Sequence, residues 1–415
     1  MALYRYLPVP SDRMGTLWTL SCIKDAFIIE FGPSGTTHFA MEGMMQLNGD
    51  HNANIYTTHI NETDISFGNE ERLEKAIIEI DQDHHPQYIF VMASSISAII
   101  GTDIKSICFK MQPQAKAKLI PITTGGYNGD YTVGVENTML TLCKHVVKKE
   151  GVKKSKSYNI IGNTIDAYNF LSDVEEIKTL MKEVFQYHIH TTFTAYTSMD
   201  EIENALSGAF NLVLRTEGIK GAKYLKDNGD MPFYYGKPYG LEGTMAFIKG
   251  IEKQFQLQIN ETYIQNKMNQ INKYLMHYKF VTRELDNKKV ALIGDFDIVI
   301  GLAGLMEELG LEVDQLLIKH KKNKHTPEEL LIRYKDRIHF NQSEKQISMY
   351  LEKTPLYLLL SDGSTLKLHN KSEKTLQIAN PNFIKHNIYP YTPFVGFNGV
   401  LYMIQNLIEL EKSIV

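Results

Sequence analysis

The sequence predicts an α/β protein made of three Rossmann-like domains with parallel sheets, and three observations lead there. The chain has 415 residues, too many for one ordinary core and enough for about three domains at roughly 150 residues each. Apolar runs rich in β-branched residues alternate with amphipathic helical patterns, the mark of βαβ units around parallel sheets. The apolar runs also stop at glycine turns, where a strand hands over to a helix.

Taken in order, Ala26 to Phe31 reads as a buried strand ending at Gly32-Pro33. Asn69 to Ile80 places Leu73, Ala76, Ile77 and Ile80 at helical spacing. Tyr88 to Ala93 is the next strand, Leu119 to Thr123 another that ends at Gly125-Gly126, and Val133 to Val147 a helix. The basic stretch Lys148 to Lys156 reads as a solvated linker, which puts domain limits at 1–150 and 151 onward. Tyr158 to Gly162 opens the second domain as a strand, followed by the strand Phe210 to Leu214 and helices over Gly240 to Phe255 and Glu261 to Tyr278. The third domain, 286–415, starts with the strand from Lys288 to Gly294, continues with the helix Ile298 to Leu309, and carries a later strand, Leu356 to Leu360, before Ser361-Asp362-Gly363.

Composition narrows the function classes. With 43% hydrophobic and 22% charged residues, the chain is globular rather than disordered. No apolar run reaches the roughly 18 residues of a membrane span, and MALYRYLPVP lacks the plan of a signal peptide, so a cytoplasmic protein is expected. A net charge of −4 gives no reason to expect nucleic acid. Cys22, Cys108 and Cys143 form no CxxC pair, so neither a disulfide framework nor a self-contained metal site is encoded. No GxxxxGK[ST] run is present, which excludes ATP hydrolysis on a P-loop.

Ligands of open parallel sheets bind at the carboxyl ends of the strands, beside helix N-termini. The turns Gly32 to Gly35, Ser94 to Ser97, Gly162-Asn163 and Gly294-Asp295 are therefore the candidate ligand loops. A plain strand-to-helix connection is the alternative for each.

Several of these turns, with their flanks, resemble the nitrogenase component 1 superfamily from end to end. The similar segments are Met14-Gly15-Thr16-Leu17, Ile23-Lys24-Asp25-Ala26, Gly32-Pro33-Ser34-Gly35 and Thr63 to Gly68 with Glu71-Arg72-Leu73. Gly125 to Tyr131 with Gly134, Asn159 to Gly162, Pro238-Tyr239-Gly240 and Val395 to Gly399 follow. Val290 to Asp297 with Leu302-Ala303 and Glu308-Leu309-Gly310 is the most specific of them. The resemblance implies a nitrogenase component 1-like fold and a [4Fe–4S] or larger cluster shared between two chains on first-domain cysteines.

Here the three cysteine columns hold Ser11, Thr36, beside Gly35, and Ser95, whose hydroxyls are poor cluster ligands near pH 7. The N-terminal stretch is most similar to the B-type subunit of the dark-operative protochlorophyllide reductase, where one aspartate ligand stands at the column of Thr36 and the partner chain supplies the rest. Cys22 and Asp12 are near enough in sequence to be recruited, although a small buried thiol is the structural reading of Cys22. In nitrogenase itself a cysteine and a histidine anchor the iron–molybdenum cofactor between domains. The resemblance sets Arg215 at the first column, as a donor to a carboxylate or phosphate, and His386 near the second, as a proton donor. A surface arginine and an ordinary loop histidine are the alternatives.

Two functions are expected from this. One is a subunit of a nitrogenase-like reductase that binds no cofactor alone, with a homologous partner holding most of any shared cluster, an iron protein supplying electrons, and a small molecule in an inter-domain cleft. The other is a non-redox carrier or assembly scaffold, a homodimer included, that kept the cleft and lost the cluster.

Overall fold

The computed structural model describes residues 8–45, 47, 53–149, 156–369, 371–387 and 389–412. The N-terminal stretch read as lacking the plan of a signal peptide falls largely outside these residues, as do most of the basic linker and the expected domain limit within it.

Thirteen described strands form three sheets. The first contains β1 (Phe27–Phe31), β2 (Asn54–Thr57), β3 (Tyr88–Ala93) and β4 (Lys118–Ile122), in the order β2-β1-β3-β4. The second contains β5 (Ser157–Asn163), β6 (His188–Thr194), β7 (Phe210–Val213) and β8 (Phe233–Tyr235), ordered β6-β5-β7-β8. The third contains β9 (Lys289–Gly294), β10 (Glu312–Ile318), β11 (Ile338–His339), β12 (Leu358–Asp362) and β13 (Lys374–Ala379), ordered β11-β10-β9-β12-β13. Every strand pairing among the described residues is parallel. Central strands such as β3 and β5 are buried along their whole length, and in β3 this makes a continuous apolar run rather than an alternating one.

The apolar cores run on from one sheet to the next. One cluster joins Ile28 and Phe90 of the first sheet to Ile161 and Val213 of the second. Another joins Tyr158 and Leu212 of the second to Val290 and Leu360 of the third and to Met403 of the last helix. The helices Asp12–Ser21 and Tyr131–His145 cross in near-backbone contact. A Cβ on Gly15 would lie 1.9 Å from the Tyr131 carbonyl oxygen, and one on Gly134 only 1.8 Å from that of Asp12. Only glycine fits at these two positions, and the crossing carries Ser11 and Tyr131 to the places they occupy below.

The final helix, Gly396–Lys412, returns to the second sheet's helix Phe170–Phe185. Asp173 accepts from the Phe394 N–H at 2.8 Å, and Glu176 from the Asn398 N–H at 3.0 Å. Tyr239 bridges Val395, so the segments around Pro238 and Gly396 meet in space. No helix among the described residues is long and apolar enough to cross a membrane.

Candidate functional site

Two polar sites lie at strand ends. The first is built on the first sheet. Ser11 stands just ahead of the helix Asp12–Ser21 and forms an isolated bridge with Asp130, while the Asp12 N–H reaches the Gly129 carbonyl at 3.1 Å. Gly126 has a left-handed backbone (φ 98°), and a Cβ there would sit 3.0 Å from Ser95 Oγ and 3.5 Å from Ser11 Oγ. Two of the three expected positions are thus gathered around one glycine. The third, Thr36, is tied in through its carbonyl, which accepts from an Arg13 guanidinium nitrogen at 3.3 Å. Its own hydroxyl donates to the Pro33 carbonyl at 2.9 Å. Arg13 is buried and ion-paired with Glu30, whose other oxygen accepts from Thr37 Oγ1.

Gly35 is exposed, and nothing lies within 4 Å of where its Cβ would be, so close packing does not demand a glycine there. Cys22 is not brought to this group. It follows the C-terminal end of the helix that Ser11 precedes, about 15 Å away at 1.5 Å per residue. Its buried thiol donates to the Trp18 carbonyl, and burial pushes its pKa up to about 12. Among the described residues no group of three or more His, Cys, Asp or Glu side chains is placed to hold a metal ion. The hydroxyl set of Ser11, Thr36 and Ser95 does not fit a thiolate-bound cluster.

The second site is the junction of the three sheets. Gly162, at the end of β5, has φ 96°, and a Cβ would come within 2.6 Å of Arg215 Cγ, so this glycine lets Arg215 lie across the strand end. Arg215 is buried and its guanidinium is already occupied: it donates to Asp166 at 2.7 Å, Thr164 Oγ1 at 3.0 Å and Glu217 at 2.8 Å. The expected role as a donor to an incoming anion therefore competes with two internal carboxylates. His386 is exposed on the loop after β13, where its Nδ1 lies 3.1 Å from the Asn382 amide nitrogen. Arg215 contacts the segment Thr164 to Asn169 directly, whereas the loop that carries His386 reaches it through other residues. Arg215 binds the Asp166 side chain, while Asn380 donates to the Asp166 carbonyl and Tyr168 to the Lys385 carbonyl, each at 2.9 Å.

What residue patterns did not reveal is the set of inter-sheet bonds at the Gly294-Asp295-Phe296-Asp297 turn. Tyr131 donates to Asp295 from the first unit. Tyr235 donates to Asp297 at 2.6 Å and the Thr216 N–H at 3.1 Å from the second. Withdrawal from water and the nearby Glu217 carboxylate push the Asp297 pKa up to about 6, despite the donors around it. Burial also raises Asp295. Arg215 acts on the carboxylates of Asp166, Glu217, Asp295 and Asp297, more negative groups than one guanidinium can neutralise. The junction is therefore acidic, and burial there favours the protonated form of Asp297 beyond that of an ordinary carboxylate. The glycine-aspartate turn and the neighbouring Tyr131 were the available signals.

These features define a three-sheet α/β protein with polar sites at the strand ends. The family model for nitrogenase component 1 type oxidoreductases matches residues 11–410, and the chain belongs to that family. It is 26% identical over 314 residues to a nitrogenase iron-molybdenum cofactor biosynthesis protein NifE from Clostridium pasteurianum, a match covering 72% of this chain and 65% of that protein. It is 22% identical over 418 aligned positions to the B-type subunit of a light-independent protochlorophyllide reductase from Nostoc punctiforme, covering 96% of this chain and 82% of that one. A solved structure of nitrogenase Cp1 at pH 6.5 superposes with a TM-score of 0.83 at 18% identity, covering 100% of this chain and 94% of the other, and shares the fold.

Proposed function

We propose that the chain is one subunit of a nitrogenase component 1-type oxidoreductase, pairing with a homologous chain through its first domain (1–150), the others being 151–285 and 286–415. The observation that carries this is the setting of the hydroxyl site. Phe39 lies three residues after Thr36 on one helix, and Ile99 four after Ser95 on another, spacings that share a helix face. Tyr127 follows Gly126. These side chains are 73%, 69% and 60% exposed, an unusual density of bare apolar surface beside a polar site for an isolated subunit. With no thiolate at its own three positions, the chain leaves the ligands of any shared [4Fe–4S] cluster to the partner, and electron supply to an iron protein.

The small-molecule cleft is placed at the three-sheet junction. Asp297 is its proton-holding group, Arg215 organises its wall and His386 stands at its rim. Co-expression with a cysteine-bearing homologue tests the pairing. Phe39→Glu and Ile99→Glu should each abolish co-purification, and a pair that forms equally well with both variants would refute it.

The second reading is a non-redox carrier or assembly scaffold. The occupied state of Arg215 and the three hydroxyls favour it, and a colourless, iron-free complex would select it over the first.

A further inference from the structure

We infer that the outer face of the helix Glu261–Val281 is a contact between two copies of this chain, laid antiparallel about a two-fold axis. The helix turns Ile264, Ile271, Leu275 and Tyr278 inward. These four belong to the core shared by the second and third sheets, so the face is not the first-domain one of Phe39 and Ile99. A helix that met only water on its other side would be polar there. Instead Met276 and Phe280, one turn apart, are 73% and 61% exposed, and Tyr274 and Val281 beside them are exposed as well. So many bare apolar side chains within two turns mark a surface that another molecule covers.

The pattern along that face fits a second copy. Lys273, His277 and Phe280, with Glu284 in the turn after the helix, are all exposed and recur at the four-three-four spacing of a two-helix seam. A two-fold axis brings residue i of one copy to j of the other, and j to i. Laid antiparallel, the seam sets Lys273 of each copy against Glu284 of the other and His277 against Phe280, with Tyr274 meeting Val281 on one flank. Laid parallel, it would oppose lysine to lysine and glutamate to glutamate, so charge selects the antiparallel pair. Glu284 accepts from Arg283 at 3.0 Å within its own chain, an exposed pair of little energy that leaves the carboxylate open to a second cation.

The test is sedimentation velocity on the full chain over a range of concentrations. A contact between single helices is smaller than the roughly 1,200–2,000 Å² of a standard stable interface, so a weak dimer is expected, with a dissociation constant on the order of 10 μM. Phe280→Lys, which adds a cation beside His277 and Lys273 of the other copy, should weaken it by more than about tenfold. Lys273→Glu and Glu284→Lys should each weaken it by about fivefold, and the two together should restore it to within about twofold. All these positions are exposed, so the variants keep the fold. A monomer at about 100 μM, a dimer indifferent to Phe280→Lys, or a double charge reversal no tighter than the single ones would each overturn the contact.

Discussion

Replacing Asp297 by asparagine should make the protein less sensitive to pH without unfolding it. In the native chain its pKa rises from an ordinary 3.8 to about 6, through loss of water and the neighbouring Glu217. A displacement of that size corresponds to about 3 kcal/mol, reduced to about 2 because Asp297 is only partly withdrawn from solvent. Because the folded-state value lies above the unfolded one, the native state binds the extra proton. The stability this adds is complete below pH about 4 and is lost as the pH climbs through about 6. Asparagine keeps an acceptor for the Thr216 N–H and can donate to the Tyr235 hydroxyl. Loss of the charge-assisted bonds costs about 1 kcal/mol, less than removal of the buried charge returns at pH 8. Urea unfolding of both proteins at pH 4.5, 6 and 8 measures the difference. The variant should equal or exceed the wild type at pH 8 and trail it at pH 4.5. Parallel stability profiles, or a variant several kcal/mol weaker at pH 8, would show that Asp297 is an ordinary ionised partner.

Other substitutions separate packing from chemistry. Gly134→Ala forces a methyl to within 1.8 Å of the Asp12 carbonyl oxygen and should cost more than about 3 kcal/mol, read as a large fall in Tm. Gly35→Ala meets no atom within 4 Å in the helix Ser34–Met44 and should instead raise stability by about 0.5–1 kcal/mol. Arg215→Ala strands the Asp166 and Glu217 carboxylates and should destabilise the fold by about 3–5 kcal/mol in denaturant titration, with or without a ligand. Cys22, with its thiol held near 12, should resist iodoacetamide at pH 8 until the protein is unfolded.

How far the fold is legible depends on burial. The runs from Tyr88 to Ala93 and from Tyr158 to Gly162 are central strands flanked on both faces, marked in the first by continuous apolar character and in the second by Ile160-Ile161 before a glycine, and they coincide with β3 and β5 almost to the residue. The helix read over Gly240 to Phe255 also has its observed limits. The short edge strands β2, β8 and β11 escape because they are at most four residues long and half-exposed, which leaves no pattern to read. At β6, His188, His190 and the threonines hide an edge strand behind polar side chains. The gathering of Ser11 and Ser95 follows from the resemblance, and the chain's own signal for it is the left-handed Gly126 between them. The position of Arg215 is legible, but its role is not. Glu217 is only two residues along the chain, but Asp166 reaches the guanidinium only through the meeting of strand ends, and the sequence does not show that the two carboxylates occupy it together.

The central claim is that this chain assembles the inherited first-domain site without supplying cluster ligands. Anaerobic purification of the chain alone and of the complex with a cysteine-bearing homologue, each followed by iron and sulfide analysis, tests it most directly. The chain alone should hold less than about one iron per polypeptide, because Ser11, Thr36 and Ser95 offer no thiolate, with iron and sulfide arriving only in the complex. A stoichiometric brown cluster in the isolated chain would contradict the account.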